Sequence, residues 1–415
     1  VWISDLKLRA GYGTMGNSNA VSPTNQYTLY ASALGHSVYD INGSNSSVVE
    51  GYYRSQIGNP DAKWETSITK NIGLDGSFFK NRLEIIVDLW QKDTKDLLVQ
   101  LPLPATNGFQ AQAPFVNSAQ IVNRGVDVQA MTSGKVNGGS GIDYELTVNG
   151  SFLQNEISSI RKGLSYLESI NPGFRGLKPI RNQLGRSLSA FYGYQVLGLF
   201  KNAAEVGSAP VQDGAAPGRF RYADVSGRDG KPDGKIDEYD RTYLGSPIPK
   251  FTGGLNLRIK YKNFEVNTYI YTSLGNKIFN QSRWFTDFYP SFTGAGISER
   301  VKDSWTPEHT DATIPLFENA GNFSTNNEAS SFYIESGNYL RMQNLSFAYY
   351  CPEFVRRPLK AERLKFFIAA NNLFTITNYN GLDPGVGGNT DTVFGVDVGN
   401  YPITRSLTAG ISLGL

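Results

Sequence analysis

The stretch whose spacing most resembles a site for chemistry is "DVSGRDGKPDGKIDEYD". Its second half fits a calcium loop of the EF-hand type, with Asp229 at position 1, Asp233 at 5, Gly234 at 6, the Lys235 carbonyl at 7, Asp237 at 9 and Asp240 at 12. Calcium takes about six to eight oxygens, and the glycine permits the sharp turn. Position 3 is Lys231, a cation where an oxygen is needed, and position 12 is Asp where a bidentate Glu is usual. Asp224 and Ser226 would supply further ligands if the loop folded back. The spacing leaves two readings open, a structural calcium and a solvated Asp/Gly turn.

Other residue types point to contact rather than catalysis. His36 and His309 are the only histidines, and no HExxH, GxSxG elbow or phosphate loop surrounds them, so no enzyme is expected. His309, in "WTPEHTDATIP", reads as a surface-loop residue. "SAFYGYQVLGLF" carries Tyr192 and Tyr194, and "RWFTDFYPSF" carries Trp284, Phe285 and Tyr289. Flat aromatic faces beside Asn and Asp suit sugar rings or peptide side chains; packing of loop on loop or against a protein partner is the favoured alternative.

The elements carrying these loops read as strands. "RSLTAGISLGL" places Leu407, Ala409, Ile411, Leu413 and Leu415 on one face and Ser406, Thr408, Gly410, Ser412 and Gly414 on the other. "GIDYELTVNGSF", "LNLRIKY" and "RGVDVQA" repeat the alternation. About ten strands are expected, near 4–13, 64–79, 83–97, 119–133, 142–156, 250–261, 264–275, 337–350, 363–375 and 405–415. Most exceed the usual 5–6 residues or so and match the roughly 9–11 of a tilted membrane strand. Short connections at 80–82, 134–141, 262–263 and 351–362 alternate with long ones at 14–63, 98–118, 157–249, 276–336 and 376–404. Outer-membrane barrels sort their connections this way, with tight periplasmic turns and long external loops. Trp64 and Phe78 suit aromatic girdles, whereas Trp90 falls on the polar parity of its strand and has no evident place.

Composition agrees. The 415 residues carry 39 basic and 37 acidic side chains, and no basic run points to nucleic acid. With 23 Tyr, 24 Phe and 44 Gly against 3 Met, the chain reads as a β protein. One cysteine, Cys351, excludes an internal disulfide framework. The opening "VWISDLKLRAGYG" has neither Met nor signal peptide and reads as part of something longer.

Ordered phrases then narrow the family. "LKLRAGYGTMGN", "NPDAKWETSITKNIGLDGSFFKNRLEIIVDLWQKDTKDLL", "AQIVNRGVDV", "DGKIDEYDRTYLGSPIPKFTGGLN", "SGNYLRMQNLSFAYYCP" and "AANNLFTITNYNGLDP" resemble, in sequence order, the SusC/RagA family of TonB-dependent outer-membrane transporters. The resemblance implies an all-β fold, the C-terminal part of a transmembrane antiparallel barrel of about 22 strands. Residues 1–415 would form the barrel portion, 157–249 a long extracellular loop, and the plug and N-terminal domains would lie outside the chain. It implies TonB-driven import of oligosaccharides or peptides, a SusD-like surface lipoprotein as partner, TonB acting through the plug, the rest of the barrel and outer-membrane lipid as neighbours, and a C-terminus in the periplasm. Asp127, Gln129, Asp143, Glu145, Asn256, Arg258 and Lys260 would face the lumen. The alternatives are a soluble β-rich glycan-binding protein and a passive porin.

Overall fold

A computed structural model describes residues 2–17, 21–33, 35–40, 43, 48–100, 103, 106, 111–136, 141–167, 176–319, 321–387 and 393–414. Leu415 and residues 137–140 of the expected short turn lie outside the described residues.

Ten long strands form one sheet: β1 (Ile3–Asn17), β2 (Glu65–Phe78), β3 (Leu83–Gln100), β4 (Phe115–Lys135), β5 (Ile142–Ile160), β6 (Phe251–Tyr261), β7 (Phe264–Leu274), β8 (Tyr339–Tyr350), β9 (Arg363–Thr377) and β10 (Ser406–Gly414). Each pairs antiparallel with the next along the chain, an up-and-down meander that forms part of a barrel wall. Among the described residues no helix is long and apolar enough to cross a membrane.

Register aligns the alternating patterns into rows. One row runs Leu6, Gly76, Ile85, Ala130, Val148, Leu255, Ile270, Met342 and Phe374 across nine strands. A lower row, Ile142, Tyr261, Phe264, Tyr349, Phe366 and Ile411, is mostly aromatic. The upper limit comes at Phe152, whose ring packs on Phe251 at 4.8 Å. Beyond it the outward row turns polar: Lys70, Gln91, Arg124, Gln154. From Ile142 to Phe152 the strand advances about 33 Å, and a tilt near 40° reduces this to about 25 Å of height. That is the apolar band of an outer-membrane barrel, with aromatic rows at its edges. Phe78 stands near the lower edge, stacked on Trp2 at 5.9 Å. Trp64 stands eight residues above Ile72 on the same outward parity, beyond the band, so the girdle position expected for it is not the one it takes.

The opposite face is polar along most of its height and carries the folded loops at the long-loop end. There Leu97, Val99, Ala119, Ile121 and Ile157 of the wall pack on Leu167 and Leu188 of the segment after β5. The loops also share a core of their own, in which Phe191, Tyr194, Phe220, Tyr222, Phe279 and Tyr333 are buried together. Residues of three long connections, 157–249, 276–336 and 376–404, meet in this core, so these three form one packed body over the wall.

Trp90 finds its place on this inner face. It lies opposite Gly125. A Cβ at Gly125 would stand 2.7 Å from Trp90 Cζ2 and 2.5 Å from the Phe152 carbonyl oxygen. The absent side chain is what lets an indole lie flat on a wall that otherwise carries polar groups.

Candidate functional site

Among the described residues the inner face holds a recess on each side of Trp90. The upper, about 410 Å3, lies between the wall and the loops. Glu65, Ser67, Lys92, Asn123 and Asn155 line it from the wall; Leu188, Ile248 and Phe394 close it from the loops. Asn155 joins the two parts: its Nδ2 donates to Asn123 Oδ1 at 2.7 Å, and its Oδ1 accepts the Leu188 amide at 2.7 Å. Ser189 continues the link, its Oγ accepting the Phe394 amide at 3.1 Å. Glu65 is engaged by the Leu98 amide and by Asn17 Nδ2, at 3.0 and 3.1 Å. Lys92 has no acidic partner among the described residues, so its ammonium is available to an anionic or hydroxyl-rich visitor.

The lower recess, about 360 Å3, is walled by Asp88, Asp127, Gln129, Asn149, Tyr269 and Tyr271. Gly254 makes its floor, since a Cβ there would lie 2.4 Å from Asn149 Oδ1. Asp127 accepts a hydrogen bond from Ser151 Oγ at 2.5 Å, and Asp88 accepts one from Arg9 Nη2 at 2.9 Å. The two recesses thus present carboxylates, amides, phenols and the Lys92 ammonium along a single face, a surface for wet, polar molecules.

The seven wall residues expected inside share this face by register. Asp127 and Gln129 border the lower recess. Arg258 bridges Glu145 and Glu265 at 2.9 and 2.8 Å. Asp143 pairs loosely with Lys135 at 3.6 Å, and the Lys260 ammonium stands 5.7 Å from the centre of the Tyr350 ring. Asn256 lies two residues above Arg258, opposite Thr147 and Tyr269.

The aromatic clusters divide differently. Tyr194 is buried in the loop core, stacked on Tyr222 at 5.0 Å, and offers no face to a visiting molecule. Of the two readings open for that ring, packing is the one it takes, its area buried against other rings. Tyr192 is covered by Arg181, whose guanidinium carbon sits 3.8 Å from the ring centre. Trp284 donates from Nε1 to the Asn326 carbonyl at 2.9 Å and meets Phe285 edge-on at 4.9 Å. Tyr289 remains well exposed beside Phe317.

In the acidic loop the carboxylates serve the backbone. Asp240, fully buried, accepts the amides of Val225, Ser226 and Asp237. Asp237 caps the short turn Glu238–Asp240, and the two make a capping box. Asp224 takes the amides of Asp233 and Gly234; Asp229 and Asp233 each turn onto an amide two residues on, those of Lys231 and Lys235. Among the described residues no three His, Cys, Asp or Glu side chains gather as a metal site. His309 lies on the surface as expected, its Nε2 2.8 Å from Asp303 Oδ1. Hydrogen bonds from Thr313 and from His309 hold the Asp303 carboxyl down at about 2.

The sequence reading missed Lys92, Asn123 and Asn155. Their signal was present, because each sits on the parity of its strand shared with Asp88, Asp127 and Ser151. Leu188, Ile248 and Phe394 carried none, since loop contacts have no periodicity.

Comparison with known proteins adds the following. The family model described as TonB dependent receptor-like, β-barrel, matches residues 1–373. TonB-dependent receptor P3 of Formosa agariphila is 29% identical over 422 aligned residues, covering 99% of this chain and 39% of that protein. TonB-dependent receptor SusC of Bacteroides thetaiotaomicron is 24% identical, covering 99% of this chain and 38% of that one. The chain therefore spans about two fifths of the length of the curated relatives it matches. Among solved structures, the RagAB peptide transporter superposes with a TM-score of 0.77 at 24% identity, over 99% of this chain and 41% of that chain. A second RagAB structure, in the "closed-closed" state, gives 0.78 at 23% identity, over 100% of this chain and 41% of that chain.

Proposed function

The chain belongs to the TonB-dependent receptor β-barrel family, and from that premise we propose that it forms wall and external loops of an outer-membrane importer for oligosaccharides or peptides. The observation that carries this reading is the upper recess, where loop residues Leu188 and Phe394 close over Lys92, Asn123 and Asn155. It lies at the long-loop end, where cargo arriving from outside would first meet the wall. Its mixture of a free cation, paired amides and apolar loop side chains suits a peptide or a short glycan and suits small ions poorly.

In this reading the short turns face the periplasm, and β10 runs toward them. The lumenal face, Asp127 and Gln129 included, carries water and cargo past the lower recess. TonB acts through a plug domain, and a SusD-like lipoprotein covers the loops from outside. A structural calcium in the acidic loop remains a reading of its spacing alone.

The test is native mass spectrometry of the receptor extracted in detergent from outer membranes, followed by titration with peptide and glycan mixtures. Import predicts a heavy polypeptide carrying this segment, a lipoprotein attached, and cargo retention weakened by Lys92→Glu. Retention of neither class, or retention indifferent to Lys92, overturns the assignment of the recess.

A further inference from the structure

We propose that the turn between β8 and β9, with the groove above it on the outward face, is a binding site for an anionic glycerophospholipid of the periplasmic leaflet. The inference rests on the membrane-spanning reading above and adds a specific ligand to it.

The turn is longer than its task requires. β6 and β7 are joined across two residues, Lys262 and Asn263, whereas residues 351–362 join β8 to β9 over a similar gap. Those residues are folded. The Cys351 amide bonds to the Leu364 carbonyl at 2.9 Å, the Ala361 amide to the Arg356 carbonyl at 3.2 Å, and Arg356 Nη1 to the Glu362 carbonyl at 2.5 Å. Cys351, Ala361 and Leu364 are buried beneath. On this base the turn holds out Phe354, 78% exposed, and Leu359, 55% exposed. An exposed Phe and Leu on a folded platform beside a lipid-facing wall belong in an interface rather than in water.

Cations outnumber carboxylates around them. Arg357 and Lys360 are exposed and have no acidic partner among the described residues. Lys262, on the neighbouring turn, is likewise free of an acidic partner among the described residues and leans on the Tyr261 ring. Glu353 and Glu362 oppose them only in part. Cations beside apolar side chains at the end of a membrane band match an anionic headgroup.

Directly above, the outward face is notched. A groove of about 410 Å3 runs between the row Phe347, Ile368, Ala409 and the row Tyr349, Phe366, Ile411. Its floor is backbone at Phe367 and Gly410. Phe366 lies three residues above Arg363, about 10 Å along the strand. In the proposed site a phosphate held by Arg357 and Lys360, at the turn that feeds this strand, sends its acyl chain up the outward face into the groove. A neutral lipid would use only the groove, and a soluble anion only the cations. One molecule with both parts uses the whole.

The experiment uses the intact receptor, delipidated in detergent and then exposed to phosphatidylglycerol and phosphatidylethanolamine in equal amounts, with retained lipid counted by native mass spectrometry. The wild type is expected to keep phosphatidylglycerol preferentially. Each surface cation is worth about fivefold, so Arg357→Glu with Lys360→Glu should erase that preference. Ala409→Phe, which fills the groove, should lower retention while leaving the cations in place. Heat-modifiable migration on gels reports that each variant is a folded barrel. Equal retention of both lipids by the wild type, or unchanged retention by both folded variants, overturns the site. Preferential capture of lipopolysaccharide at these residues would place the turn in the other leaflet and also overturn it. A wild type without heat-modifiable migration would instead refute the membrane reading itself.

Discussion

Arg300 grips the fully buried carboxylate of Asp287 with two bonds, Nη2 to Oδ1 at 2.7 Å and Nε to Oδ2 at 3.0 Å. Arg283 adds a third at 2.8 Å, so the pair ties the short helix Ser282–Thr286 to the turn Glu299–Asp303. Burial acts to raise this carboxyl, and the hydrogen bonds from Arg300 and Arg283 outweigh it and leave the group below the usual carboxylate range. Asp287→Ala takes the carboxylate from Arg300 and leaves Arg283 only the Phe332 carbonyl and, at 3.9 Å, Glu335, and is expected to cost the loop body about 2–3 kcal/mol. Hydrogen exchange of residues 282–303 is the readout, and exchange unchanged from wild type would show that the ion pair is dispensable.

The same pair fixes the sign of a pH effect. A carboxyl depressed in the folded state stabilises it above the unfolded value of about 3.9, and that stability drains away as pH falls through the folded value. Protease resistance of the loop body should therefore hold from about pH 7 down to about pH 5 and fail only below about pH 4. Asp287→Asn should flatten this dependence. Failure already near pH 6 would mean a histidine or another group controls the loops.

Gly125 is predicted to be irreplaceable for a local reason. A methyl group there meets a carbonyl oxygen at 2.5 Å and the Trp90 ring at 2.7 Å. Gly125→Val should cost about 1–3 kcal/mol or more through overpacking. Trp90→Ala in the same chain should relieve part of it, a coupling that a double-mutant cycle in denaturant measures. Simple additivity would remove the steric explanation.

Much of the wall was legible because its signal is local. Alternation in "GIDYELTVNGSF" located β5 from its first residue, Ile142, and parity placed Asp143 and Glu145 on the face they occupy. The upper ends were underestimated. β5 continues to Ile160, beyond the expected 156, because above the lipid band both faces are polar or covered by loops and alternation lapses. Trp90 resisted placement since its partner, Gly125, lies on another strand. The loops were opaque for a related reason. The burial of Tyr194 against Tyr222 and Phe323 joins residues far apart in sequence, and no local pattern announces it.

The acidic loop yields a discriminating pair of substitutions. Asp240 is buried and serves three amides, so Asp240→Ala should cost about 1–3 kcal/mol for each amide left without an acceptor. Asp229 accepts one exposed bond at 3.2 Å, and Asp229→Ala should stay within about 0.5 kcal/mol. Hydrogen exchange at residues 224–240, with calcium and with chelator, separates the two readings of the loop. Calcium-dependent protection lost in both variants would establish the metal; protection lost only in Asp240→Ala, regardless of calcium, would establish the capping network.

Leu146 and Glu145 are adjacent in sequence yet lie on opposite faces of the wall. Leu146 pairs with Leu257 in the middle of the outward apolar band, and Glu145 pairs with Arg258 on the inner face. An arginine at a bilayer midplane costs about 2–4 kcal/mol in a barrel strand, because no water reaches it there. An exposed ion pair in a wet lumen is worth about 0–1 kcal/mol. Leu146→Arg in the intact receptor should therefore lower unfolding stability in bilayers by the larger amount, and Glu145→Gln by the smaller. Intrinsic fluorescence across a denaturant series measures both. In detergent micelles, which deform around a charge more readily than a bilayer, the gap should narrow. Equal costs in bilayers, or a larger cost at Glu145, would mean that the two faces of this wall have been exchanged.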